Sequence, residues 1–156
     1  MKNLIIILLA MFACSSSYTT GKIVKVIDGD TFVFQSSHEQ FRVRLLDIDA
    51  PELGQTYGPK SKDYLQRFLD KRAKMYCKGK DCYNRTLAVL YVDGININEQ
   101  MIRDGYAYFN HKWSDNFELM KLEYTAKVNK VGLWNYDTCS PWIYRKQHKY
   151  DKKGYN

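Results

Sequence analysis

Histidine is scarce in this 156-residue chain, and His38, His111 and His148 stand at no spacing that suggests a metal cage or a catalytic triad. No Ser-His-Asp or Cys-His arrangement is signalled, so the common hydrolytic nucleophile sets are not indicated. Cysteine is sparse as well. Cys77 and Cys82 form one pair, but no second pair matches it and no histidine completes a zinc site. In an oxidising compartment Cys77 and Cys82 can close a short hairpin disulfide, or either can pair with Cys139. The apolar run Leu4 to Phe12 is nine residues long, too short to cross a bilayer. No internal repeat and no second domain is visible, and 156 residues suffice for one domain with its own core. Acid is in deficit, with 24 Lys+Arg against 17 Asp+Glu and a net charge of +7. Such a field favours anionic partners, either nucleic acid or an acidic membrane surface.

Apolar residues make up 45% of the chain, which excludes a disordered polymer. The 13 tyrosines suit strand and core positions, and some can serve as stacking platforms for bases. Residues 1–14 have the form of an export signal: Lys2, then the apolar run, then Ala13-Cys14-Ser15. Met11-Phe12-Ala13-Cys14 resembles a bacterial lipobox, which would place a lipid on Cys14 and tie the protein to a membrane; ordinary cleavage near Ser15 is the alternative. Either way the protein is expected outside the cytoplasm, secreted or in the cell envelope. Losing residues 1–13 removes one basic residue, Lys2, and no acid, so the basic field survives processing.

Residues 22–27 are rich in β-branched side chains and read as a strand. Asp28-Gly29-Asp30 is a turn, and residues 31–34 return as a second strand. Phe41, Val43 and Leu45 alternate with Arg42 and Arg44, as in a half-buried third strand. Residues 50–60 hold Pro51, Gly54, Gly58 and Pro59, and form an irregular loop. Tyr64, Leu65, Phe68 and Leu69 line one face of a helix. A fourth strand begins over residues 74–76 and a fifth covers 86–92. Asn98 is expected to cap a short helix that ends at Asp104 with Gly105 behind it. Residues 117–131 read as a third helix stopped by Gly132. The basic segment after Trp142, including residues 146–156, is expected to fray. The predicted class is α+β: a five-stranded OB-type barrel with about three helices, though the pattern alone does not prove closure and a different α+β sheet fits nearly as well.

The chemistry lies in two short segments, Asp28-Gly29-Asp30-Thr31 and Arg42 to Glu52. Carboxylate oxygens suit a hard divalent cation, and arginine forks suit phosphate. Together they equip a site for metal-assisted cleavage of a phosphodiester. Alone, each motif reads more readily as a turn or a strand stop.

With Tyr57-Gly58-Pro59, Tyr83-Asn84-Arg85, Leu87-Ala88, Gly132-Leu133-Trp134 and the late Pro141-Trp142-x-x-Arg145, these segments resemble the staphylococcal nuclease family over roughly residues 20–145. The resemblance implies a nuclease domain that uses Ca²⁺ and cuts DNA and RNA to 3′-phosphate products, acting as a monomer. It implies Asp30 and Asp49 as carboxylate ligands and the main-chain carbonyl of Ala50 as a third. It implies Glu52 as the general base or the group that orients the attacking water, and Arg44 and Arg85 as the grips on the scissile phosphate. Asp28 would stand beside the metal site or serve the turn alone, and Tyr83 would pack on a nucleotide. The chain departs from the family in three places. Asn84 replaces a glycine, Cys82 replaces a phosphate-contacting lysine, and His111 and Trp113 stand where two tyrosines are usual. The competing reading is a non-catalytic OB-type module that binds nucleic acid without cutting it. A third is an envelope protein whose basic face meets anionic lipid or glycan.

Overall fold

The computed structural model describes residues 17–151; the expected export signal and Cys14 lie outside the described residues, as does the end of the basic segment. The strands are β1 (Thr19–Val26), β2 (Thr31–Ser36), β3 (Gln40–Leu45), β4 (Ile48–Asp49), β5 (Arg72–Lys80), β6 (Thr86–Val92), β7 (Ile95–Asn96) and β8 (Tyr108–Phe109). The helices are α1 (Gly58–Gln66), α2 (Ile97–Arg103), α3 (Phe117–Val128) and α4 (Pro141–Asp151), with a 3-10 turn at Gly132–Asn135.

β1, β2 and β3 form an antiparallel meander, and β5 and β6 extend it from the other edge of β1. β3 also pairs with β6 in parallel, Val43 opposite Thr86 and Leu45 opposite Ala88, which closes five strands into a barrel. Closure removes the exposed edges of the open sheet. Two register shifts, between Ile23 and Lys25 in β1 and between Cys77 and Gly79 in β5, supply the bends that closure needs. The barrel is filled by Ile23, Phe32, Phe34, Val43, Leu45, Met75 and Leu90, all fully buried. Each such side chain contributes about 1.5–3 kcal/mol through its removal from water. α2 plugs one end with Ile97, Met101 and Ile102.

Three local expectations are corrected. Asn96 caps α2, accepting from the Glu99 N–H, whereas Asn98 is buried inside the helix. There Asn98 accepts from the Leu90 N–H (3.1 Å) and donates to the carbonyls of Leu46 (2.9 Å) and Ala88 (3.1 Å). It thus ties helix, barrel and the β3–β4 turn together. α3 stops at Val128, before the expected residue 131, because Asn129 closes the helix and Lys130 turns left-handed (φ 52°) ahead of Gly132. The segment expected to fray after Trp142 is helical: Pro141 opens α4, which runs to Asp151 as a fourth helix. A proline in the first turn loses no helical hydrogen bond and has φ already set.

Cys77, Cys82 and Cys139 are all free and exposed, so none of the three expected pairings is formed. No helix among the described residues is long and apolar enough to cross a membrane.

Candidate active site

Asp30 ends the tight turn between β1 and β2. Gly29 is required there because a Cβ would fall 2.6 Å from the Ala50 Cβ and 2.7 Å from the Ser61 Cβ. That close approach lays the turn against Ala50, whose N–H donates to Asp30 Oδ2 at 2.9 Å. Asp49 is delivered by the short β4–β8 pairing, with Asp49 opposite Tyr108. The tight corner before it needs a left-handed residue, supplied by Asp47 at φ 63°. Both acids are nearly closed to solvent, Asp30 at 4% and Asp49 at 2% exposed.

Arg44 joins them from the C-terminal end of β3. Its Nη1 donates to Asp30 Oδ1 at 2.5 Å and its Nη2 to Asp49 Oδ1 at 2.7 Å and the Ile48 carbonyl at 3.2 Å. Burial works against the arginine's charge, but Asp30 and Asp49 more than restore it, so Arg44 stays cationic. Burial also pushes the Asp30 carboxyl well above the ordinary carboxylate range. Arg44 and the Ala50 N–H oppose that rise, and the charges of Asp28 and Asp49 add to it. Asp28 is a turn residue that accepts from the Asp30 N–H at 3.1 Å, so its structural and electrostatic roles coincide.

Arg85 reaches the same cluster through Thr31. Thr31 Oγ1 donates to Asp30 Oδ1 (2.9 Å) and lies 3.3 Å from Arg85 Nη1, which donates to it. Asp81 fixes Arg85 from behind, accepting from Nε at 2.7 Å and from the Arg85 and Tyr83 backbone N–H groups at 2.9 Å. Burial raises the Asp81 carboxyl, but these hydrogen bonds win and hold it below its usual range. The turn survives replacement of glycine because Asn84 adopts φ 61°. Tyr83 is 74% exposed beside Arg85, whose guanidinium lies 5.5 Å from its ring centre. It is a free platform rather than a packed strand tyrosine.

Glu52 sits on the loop after β4. Its N–H donates to Gln55 Oε1 at 2.8 Å, and Gly58 packs so tightly on its carbonyl that a Cβ would fall 1.9 Å away. Its backbone is therefore fixed while its carboxylate reaches outward, to Arg145 of α4. Arg145 Nη1 donates to Glu52 Oε1 at 2.7 Å and to Asp49 Oδ1 at 3.3 Å, and Nη2 donates to Asp49 Oδ2 at 2.8 Å. The structure thus brings Asp30, Arg44, Asp49 and Ala50 into direct contact, joins Arg85 through Thr31, and joins Glu52 through Arg145.

Arg145, Thr31 and Asp81 were not among the residues singled out as functional. Pro141 followed four residues later by Arg145 was the available signal, since that spacing puts both on one side of a helix. His111 lies in a structural network instead, bonded to Glu123 at 2.8 Å, which also accepts from the Phe109 N–H and from Lys127. Trp113 is exposed. Trp134 and Trp142 both pack edge-on against Tyr108.

Among the described residues no three His, Cys, Asp or Glu side chains gather into a cage. Two buried carboxylates do share one arginine, and all their donor atoms are hard oxygens. That set does not suit zinc, which takes a full set of nitrogen and sulfur ligands in closed sites. It fits an ion that completes its shell with carbonyl and water oxygens, as Ca²⁺ and Mg²⁺ do. A surface hollow of about 310 Å³ around Gly21, Gln35 and Arg72 shares no residue with this cluster.

A closed OB-type barrel carries buried acids and arginine forks together on one rim. Residues 42–136 match the family model described as staphylococcal nuclease homologue. The chain is 35% identical to an "uncharacterized endonuclease" of Haemophilus influenzae, over 94% of this chain and 84% of that one. It is 37% identical to an "uncharacterized endonuclease" of Escherichia coli O157:H7, over 80% and 84%. It is 32% identical to the "micrococcal nuclease" of Shigella flexneri, over 83% and 82%. The chain belongs to the staphylococcal nuclease family.

Proposed function

We propose that this nuclease is an exported, calcium-dependent endonuclease that hydrolyses phosphodiester bonds in DNA and RNA and leaves 3′-phosphate ends. The observation that carries the reading is the convergence of Asp30, Asp49, Arg44 and Arg85, with Glu52 on a fixed backbone and joined to Asp49 through Arg145.

Asp30, Asp49 and the Ala50 carbonyl would hold the cation, which when bound polarises a phosphoryl oxygen. Arg44 and Arg85 offer forked N–H donors to the oxygens on which negative charge builds as the bond breaks. Their own anchors, the two aspartates and Asp81, hold those forks in place before substrate arrives. Glu52 takes or steers the proton of the attacking water. Tyr83 offers a face on which a base can stack. The basic surface draws in the polyanion. Export follows from the segment ending at Cys14, with a lipid there as the anchor, and the enzyme acts as a monomer.

Replacing Glu52 with Gln separates enzyme from binding module. Cleavage is expected to fall by roughly 10²–10⁴, with single-stranded DNA binding kept. A Glu52→Gln protein that cuts at the wild-type rate overturns the assignment. End-labelled products reveal which side keeps the phosphate, and 5′-phosphate ends would refute that part. Cys14→Ser is expected to release the protein from membranes or to block its processing.

A further inference from the structure

Arg145 holds both oxygens of Asp49 and one of Glu52 at once. A carboxylate oxygen offers about two lone-pair sites. Asp49 Oδ1 already receives Arg44 at 2.7 Å and Arg145 at 3.3 Å, so it is full, and Oδ2 receives Arg145 at 2.8 Å. An incoming cation needs these same lone pairs. Arg44 cannot give way, because it is held on three acceptors and rooted in a strand that is paired on both sides. Arg145 can. Its side chain is 42% exposed, against 15% for Arg44. Beyond Pro141, which is buried at its start, α4 is lightly attached: Trp142 and Ile143 are each 44% exposed, Trp142 meets Tyr108 edge-on at 5.8 Å, and Tyr144 covers Gly54. Its other described side-chain bond, from His148 to the Tyr144 carbonyl, is internal.

We propose that Arg145 is a built-in competitor of the divalent cation: its guanidinium occupies Asp49 and Glu52 in the metal-free protein and leaves them when the cation binds, loosening α4. This rests on the reading of Asp49 as a cation ligand. Arg145 is a positioning residue, since it holds the two acids in place and keeps buried Asp49 from facing Arg44 alone. The exchange also couples the general base to the metal. Glu52 loses its partner at the moment the cation arrives, and its carboxylate becomes available to water.

The test is calorimetric titration of Ca²⁺ alone, without nucleic acid, into the full mature chain and two variants, with hydrogen exchange of α4 alongside. Arg145→Ala is expected to bind Ca²⁺ roughly tenfold more tightly, the equivalent of one charge-assisted hydrogen bond no longer in competition. Trp142→Ala changes no charge and only weakens the seat of α4, so it too is expected to bind more tightly, by a smaller factor. That variant separates competition from simple removal of a positive charge. In the wild type, saturating Ca²⁺ is expected to speed exchange of the α4 amides. In Arg145→Ala they exchange fast with or without the ion. Wild-type affinity in both variants, with α4 exchange indifferent to Ca²⁺, overturns the competition while leaving the calcium reading intact. No Ca²⁺ binding by any of the three proteins overturns both.

Discussion

Asp49 is gripped by two arginines of opposite character. Arg44 comes from inside the barrel, short-tethered by strands on both flanks, and shares Asp49 with buried Asp30. Arg145 comes from a terminal helix and shares Asp49 with half-exposed Glu52. The same charge therefore does different work. On the barrel side it is a fixed part of the site, and a missing partner would leave buried acids uncompensated. On the helix side it is an exchangeable contact, screened by water and replaceable by another cation.

The comparison breaks first, and hardest, at Arg44. Arg44→Ala is expected to lower cleavage by at least about 10²–10³. In chelator it should also destabilise the fold by a few kcal/mol, because Asp30 and Asp49 lose their shared counter-charge. Melting curves with and without Ca²⁺ check this, and part of the lost stability should return with the ion. Arg85→Ala should lower the rate by a similar ~10²–10³ but cost less stability, since its partner Asp81 is less deeply buried than Asp30 and Asp49; a rate assay paired with a melt separates the two arginines. Asn98→Ala probes the rigid side without touching the chemistry. It orphans the Leu90 N–H and the Leu46 carbonyl, while the Ala88 carbonyl keeps the Leu46 N–H, and should cost about 1–3 kcal/mol in denaturant titration. Trp142→Ala probes the helix side and should cost no more than about 1 kcal/mol by the same measurement. A Trp142→Ala loss as large as that of Asn98→Ala would erase the distinction between a rigid and a movable half.

The two halves also differed in how readily the sequence disclosed them. The Asp28-Gly29-Asp30 turn, the alternation through Arg44 and the irregular loop from Ala50 are local patterns with local causes; barrel closure is not, since it rests on the long-range pairing of β3 with β6. Asp30, Arg44, Asp49, Glu52 and Arg85 were named through the resemblance, and the fold gathers these residues at one rim. Asn84 in its left-handed turn was legible from the backbone tolerance of asparagine. Arg145 was not, because its partners are 96 and 93 residues away and its neighbourhood is mostly polar. A short basic stretch looks like a solvated tail until Asp49 and Glu52 are known to face it. The β4–β8 pairing was hidden for another reason: strands of two residues have no periodicity to detect. Asn98 misled because a buried asparagine that replaces ladder hydrogen bonds has the same one-letter signature as a helix cap.

The account's central claim is that the buried aspartate pair serves phosphodiester cleavage through a bound cation. The most direct measurement is cleavage of single-stranded DNA by the purified mature chain, in Ca²⁺ and again in excess chelator. The account predicts cutting in Ca²⁺, loss of cutting in chelator, and recovery when Ca²⁺ is restored. Undiminished cutting in chelator would contradict it, as would DNA binding in Ca²⁺ with no cutting at all.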